Sequence, residues 1–272
     1  MMRSLWTGAT GMIAQQTNVD TIANNLSNVN TSGYKAEKTE FKSLLYQTLQ
    51  TKTTSANGEE KPISAQVGLG TRVASNTSIF TQGSLIANDS KSAFAIEGNG
   101  LFSVRGADGQ IYYTRNGNFS WVKDGNVVSL CTQEGYHVLD SNGNVISLPA
   151  NVSSESVQFQ SSTGLIGYED GVGNYHSLNQ RIGIYQFRNP AGLEKESNSL
   201  LSITEASGAA MSEYTNNNLT KSKVVQGYLE GSNVQLADEM VNLIVAQRAY
   251  EMNSKVITTS DDMLGIANQL KR

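Results

Sequence analysis

The sequence predicts an α+β chain: two discontinuous, coiled-coil-like helices at the N- and C-terminal ends, and a central all-β domain of antiparallel sandwich or barrel type. Three observations carry this. Apolar residues near both ends step by four and three, tight-turn dipeptides punctuate the middle, and those turn signals vanish again after about residue 234. The predicted domains are 1–63 with 219–272, helical, and 64–218, β.

From about Ser4 to Val29, Leu5, Ala9, Met12, Gln16, Val19, Ala23 and Leu26 repeat every 3.5 residues, the spacing of a coiled-coil seam. Trp6, Ile13 and Ile22 broaden the stripe, and Ser4 is the expected N-cap. The polar run Asn28, Asn30, Thr31, Ser32, Gly33 ends the helix at a residue suited to a left-handed cap. Asn24, Asn25 and Asn28 suit capping and backbone bonding rather than chemistry. A second helical run is expected over Thr39–Leu49, with Phe41, Leu44, Leu45 and Leu49 apolar, followed by a polar excursion over 51–60 that contains Asn57-Gly58.

Short β-type runs then alternate with turns. Asp108-Gly109, Asn116-Gly117, Asp124-Gly125 and Asn142-Gly143 are dipeptides that supply positive φ in hairpins. Regular spacing of this kind argues for antiparallel strands, not β-α alternation. Beyond Val234 helix returns: Val245, Ala249, Met252, Val256, Thr259, Met263, Ile266 and Leu270 form one 3.5-residue stripe, and Leu236, Met240, Leu243, Tyr250, Ile257 and Leu264 a second. Such a helix runs about 55 Å. Two apolar stripes exceed what one partner helix can cover, which implies further helices from other copies.

Composition fits that picture. Of 272 residues only 38% are hydrophobic and 16% charged, too apolar-poor for one large core yet, at net charge −4, not charged enough for disorder. Elongation, or burial completed by neighbours, reconciles the two. The acidic balance and the lack of a Lys/Arg cluster argue against nucleic acid. One cysteine, Cys131, and two histidines, His137 and His176, exclude a disulfide framework and leave no metal-ligand spacing. No apolar run approaches the roughly 18 residues of a membrane span, and Thr7, Gly8 and Thr10 interrupt what would be a signal peptide. The polar face of the last helix, with Asp238, Glu239, Asp261 and Asp262, does not suit a lipid surface.

Catalytic readings fail similarly. Gly98-Asn99-Gly100 lacks the third glycine and following helix of a phosphate loop and reads as a turn between strands. Adjacent Asp261 and Asp262 diverge by about 100° on a helix and cannot converge on one atom. No catalytic, cofactor or metal site is expected. Arg248, set in an otherwise apolar stretch, reads from its setting alone as either a surface ion pair of little weight or a guanidinium that spans helices through several hydrogen bonds.

Five stretches, in order, resemble the signatures of bacterial flagellar rod and hook proteins. They are Asn24 to Lys35 (NNLSNVNTSGYK), Phe80 to Leu85 (FTQGSL), Ile96 to Phe102 (IEGNGLF), Tyr113 to Gly117 (YTRNG), and Gln226 to Val234 (QGYLEGSNV) answered by Ala246 to Asn253 (AQRAYEMN). Ser92 stands where relatives commonly carry an acidic residue. The opening Arg3-Ser4-Leu5-Trp6 and the extra stretch Tyr46 to Gln66 resemble the family's distal rod branch most; a proximal rod or hook-type axial protein is the alternative. The resemblance implies a non-enzymatic structural subunit without cofactor. It would polymerise helically with its own copies into a tube, terminal helices inside and β domain outside, and transmit torque from motor to hook. It implies export by the flagellar apparatus without a cleavable signal, a place in the basal-body rod, and proximal rod and hook-side axial proteins as neighbours. Bushing ring proteins would be added where an outer membrane is present. The residues expected at subunit contacts are Leu5, Met12, Val19 and Leu26 with Asn25 and Asn28 near the first helix, and Val245, Met252, Val256, Met263 and Ile266 with Arg248 on the last. The 46–66 stretch would add the contacts that keep the shaft straight.

Overall fold

The structure, a computed structural model, describes residues 2–50, 65–125, 127–149, 152–153, 156–160, 164–170, 175–216 and 218–270. The chain divides into two units. The first comprises Met1–Ser27, Glu37–Ser78 and Gln235–Arg272, the second Asn28–Ala36 and Ile79–Val234. The sequence suggested divisions at 63/64 and 218/219. They fall instead at 78/79 and 234/235, because strands Ala65–Gly68 and Thr71–Ser78 pair back onto residues 37–50. Residues 223–230 conversely supply two strands to the second unit.

In the first unit, α1 (Met2–Ser27) and α2 (Leu236–Gln269) lie antiparallel. The register is fixed by small and polar residues. The Ser4 and Ser260 hydroxyls are 3.1 Å apart, Gly8 packs on Ile257 and Gly11 on Asn253. A Cβ on Gly8 would stand 3.0 Å from Ile257 Cγ1, and one on Gly11 2.9 Å from Asn253 Nδ2, so glycine is what lets the backbones approach. α1 begins before Ser4, which therefore is not the N-cap; its hydroxyl serves the seam with α2 instead.

The helix expected over 39–49 is not formed. Glu37–Ser43 is a strand paired antiparallel with Thr71–Ser78, bulged between Glu40 and Phe41, and Tyr46–Gln50 pairs with Ala65–Gly68. Phe41, Leu45 and Leu49, the face of that expected helix, are exposed. Pairing with a distant strand overrides a short run whose spacing fits either period. The excursion over 51–60 lies outside the described residues.

The second unit is the expected antiparallel β domain. Ten strands form one sheet, in the order 147–149, 127–132, 137–138, 101–105, 111–114, 200–202 and 194–195. Strand 119–124 joins beside 127–132, and 184–186 joins beside 101–105 and carries 211–212. A three-stranded sheet of Val157–Gln160, Leu165–Glu169 and Tyr175–Arg181 contributes to the same core, where Phe94, Phe102, Phe119, Leu130, Ile146, Ile166, Ile182 and Ile184 are buried. Gly109, Gly125 and Gly143 take the positive φ their dipeptides predict. Gly117 does not, and is required for another reason: a Cβ there would lie 1.7 Å from the Phe94 carbonyl oxygen, and the Phe94 amide donates to the Gly117 carbonyl at 3.0 Å.

A second cluster holds Tyr113 among Leu101, Phe187 and Leu193, edge-on to Phe187 at 4.8 Å and to Tyr185 at 5.6 Å. Burial, with a smaller push from Tyr185, raises the Tyr113 phenol from its usual 10 to about 12. Its contribution to stability is complete below pH 10. Between pH 10 and about 12 the unfolded chain loses this proton while the folded chain keeps it, so stability falls as pH rises. Alkaline unfolding in that window should be blunted in Tyr113→Phe, as measured by urea titration at pH 9 and pH 11; identical pH dependence in the variant would refute the assignment.

Candidate subunit interface and a buried charge cluster

Of the two stripes on α2, the second turns only in part toward α1: Ile257 packs on Gly8, Leu243 and Leu264 are half-buried, and Ala246, Asn253 and Ser260 complete the seam, whereas Leu236, Met240 and Tyr250 of that stripe are exposed. Ala246 and Ser260 are buried there. The other stripe begins one residue away, hence about 100° around the helix. Val245 is 62% exposed, Met252 71%, Val256 45% and Ile266 59%, with Met263 exposed between them. Val241, Ile244 and Leu270 extend the row, so apolar side chains without cover in this chain run about 44 Å along α2. Neither Val241 nor Ile244 was part of the stripe read from the sequence; they fall in it once the seam with α1 is known.

On α1, Leu5, Met12, Val19 and Leu26 are half-buried, while Trp6 and Ile13 are exposed. Val19 lines a groove of about 350 Å³ with Gln16, Gln247, Tyr250 and Glu251. Asn25 belongs elsewhere. It is 1% exposed, accepts from the Glu37 amide at 2.9 Å, and donates to the Glu37 carbonyl at 2.8 Å and to Glu239 at 3.4 Å. It thus fixes the start of the strand at Glu37 and has no surface left for another copy. Burial pushes the Glu239 carboxyl up, against the Asn25 hydrogen bond. Asn28, in the second unit, accepts through its side chain from the Thr31 hydroxyl at 3.1 Å and through its carbonyl from the Thr31 amide, a turn beyond α1. Arg248 does not span helices within the chain. Its guanidinium is exposed and donates to Glu251, three residues on, at 2.8 Å.

What sequence reading missed lies in the second unit. Glu230, 1% exposed, accepts from Lys35 Nζ at 2.7 Å and from the Gly83 amide at 2.9 Å through Oε1, and from Arg115 Nε through Oε2. Arg115 also donates to the Gly100 carbonyl, to Ile96 O at 3.0 Å and to Gly98 O at 2.6 Å; Lys35 donates to Thr81 O at 2.7 Å. Loss of water around Lys35 pulls its ammonium below the usual lysine value, opposed by Glu230. Each of the five signature stretches supplies an atom to this cluster. No single sequence pairs residues 195 positions apart, so only the clustering of motif residues could have hinted at it.

Among the described residues no group of three or more His, Cys, Asp or Glu is placed to hold a metal ion, and no helix is long and apolar enough to cross a membrane. Cys131 is buried, its Sγ 3.2 Å from Nδ1 of His137 on the neighbouring strand.

Residues 5–35 match the family model described as "Flagella basal body rod protein", 95–166 that of the "Flagellar hook protein FlgE/F/G D1 domain", and 225–270 that of the "Flagellar basal body rod FlgEFG protein C-terminal". The chain is 44% identical to the flagellar basal-body rod protein FlgG of Borreliella burgdorferi over the whole of both chains. It is 42% identical to that of Agrobacterium fabrum, over 98% of this chain and 99% of the other. To that of Bacillus subtilis it is 36% identical over all of both. The chain belongs to the flagellar basal-body rod family. It is a structural rod subunit of the flagellum, and the geometry of this rod-family chain agrees with that role: what it exposes is a long apolar helix face, and what it buries is a charge cluster that ties its signature motifs together.

Proposed function

We propose that the chain builds the distal part of the rod, polymerising with copies of itself through the Val245, Met252, Val256, Met263 and Ile266 stripe of α2. The uncovered row along a helix already paired on its other side carries this reading. A face about 44 Å long needs a partner of comparable length, and helices of neighbouring copies supply it. A heterologous contact that does not close gives a helical filament, and many packed contacts along it carry torque without any chemical site. In this reading the chain has no enzymatic role, is exported without a cleavable signal, and meets proximal rod and hook-side axial proteins at the ends of its segment, with ring proteins around it where an outer membrane exists. The distal placement, over a proximal rod or hook-type one, is supported by full-length likeness to FlgG proteins. The stretch 46–66, whose described ends pair as a two-stranded ribbon with Tyr46 and Leu49 exposed, adds contacts between copies. Leu5, Met12, Val19 and Leu26, half-buried on α1, add to the contacts between copies, as do Arg248 and Asn28. Electron microscopy of the purified protein at rising concentration should show filaments of constant diameter. A monodisperse monomer at the highest concentration reached would overturn the proposal.

A further inference from the structure

Two segments of the second unit adjoin the helices in the chain: 28–36 follows α1, and 223–234 precedes α2. Residues 223–226 pair with Phe94–Glu97 and 228–230 with Leu85–Ala87, each in a two-stranded sheet. Residues 28–36 form no strand. They are held by the Gly33 amide donating to the Glu230 carbonyl at 2.8 Å, by Lys35 on the Glu230 carboxylate, and by the Ala36 amide on Asn233 Oδ1 at 2.7 Å. Gly33 has φ +72°, and a Cβ there would come within 2.6 Å of the Asn116 amide nitrogen, so this close seating requires glycine. Asn233 in turn donates to the Ile79 carbonyl at 2.7 Å and to Thr81 Oγ1 at 2.9 Å.

The charge count makes the arrangement conditional. One carboxylate serves two cations, at side-chain exposures of 0% for Glu230, 7% for Lys35 and 5% for Arg115, where water cannot compensate a missing partner. With Glu230 absent, both cations are buried unpaired. With 28–36 displaced, Glu230 loses one of its partners and its backbone contact to Gly33. Each segment is therefore seated favourably only when the other is in place. We propose that Glu230 is a latch: segments 28–36 and 223–234 order together or not at all, so the connectors of the two terminal helices are engaged as one event. This holds whether or not the chain polymerises, because every contact in it lies within one subunit.

Hydrogen–deuterium exchange on the full chain tests the latch with two variants. Glu230→Gln keeps size but turns an acceptor into a donor facing a cation. It should speed exchange at 33–36 and at 229–233 together, by at least tenfold, while the strands 101–105 and 127–132 stay protected. Lys35→Met removes the same tie from the other side, so 33–36 and 229–233 should again open together, and opening of 33–36 alone would overturn the latch. Faster exchange confined to 229–233 in Glu230→Gln would overturn the latch. Should Glu230→Gln fail to fold, Lys35→Met decides alone: wild-type protection at 33–36 would overturn it equally.

Discussion

A Met252→Asp subunit should fold as the wild type does and yet fail to polymerise. Met252 is the most exposed member of the proposed contact stripe, so in the isolated chain the new carboxylate meets water and costs little. Within a filament the same position becomes a helix–helix contact, and an unpaired carboxylate buried there costs several kcal/mol. The defect recurs in every subunit, so the loss multiplies along the polymer rather than weakening one joint. Sedimentation should show monomer at concentrations where the wild type forms filaments, with unchanged circular dichroism and, in cells, no motility. Val256→Asp, closer to the α1 seam and less exposed, should give the same outcome with a small added cost to the monomer. Filaments built from Met252→Asp protein would mean the stripe faces solvent in the rod, and a different surface would have to join the copies.

Which stripe of α2 turns inward was not legible in the sequence, although both stripes were. The larger aliphatic row, with Val245, Met252, Val256 and Ile266, is the one left outside. The inner seam is chosen by size: Gly8, Gly11 and Ser4 on α1 admit Ile257, Asn253 and Ser260 at short range, which a seam of Met and Val on both sides would hold apart. Helix existence followed from periodicity, and the hairpins of the β unit from their Asp-Gly and Asn-Gly dipeptides, because both signals are local. The strand Glu37–Ser43 was read as helix because Phe41, Leu44 and Leu45 satisfy a helical spacing over a run too short to discriminate. Its pairing with Thr71–Ser78, 28 to 41 positions along the chain, settled the matter. Asn25 was expected both to bond backbone and to lie at a subunit contact; it bonds the Glu37 backbone and is buried within the subunit, and polarity alone does not tell a buried amide from an exposed one. Lys35, Arg115 and Glu230 stood in plain view inside the motifs, yet their pairing is a property of the folded β unit alone.

That pairing makes Arg115 a costly side chain to remove from the second unit. Arg115→Met keeps most of the aliphatic volume and deletes the guanidinium. The carbonyls of Gly98 and Gly100 lose the guanidinium, that of Ile96 keeps only Gln82 Nε2 at 3.2 Å as a side-chain donor, and the Glu230 carboxylate is left with Lys35 and the Gly83 amide. Breaking a buried pair by removing one partner costs about 3–5 kcal/mol, a large fraction of the roughly 5–15 kcal/mol that holds a domain folded. Lys35→Met should cost less, about 1 kcal/mol, because Lys35 makes fewer bonds and its removal leaves one cation on one carboxylate. The comparison is best made by urea unfolding followed through Trp121, which packs against the β core, in a Trp6→Phe background that silences the only other tryptophan. A midpoint for Arg115→Met that is no lower than that for Lys35→Met would show that the guanidinium is not the centre of the cluster, and that the three carbonyls find other donors when it is gone.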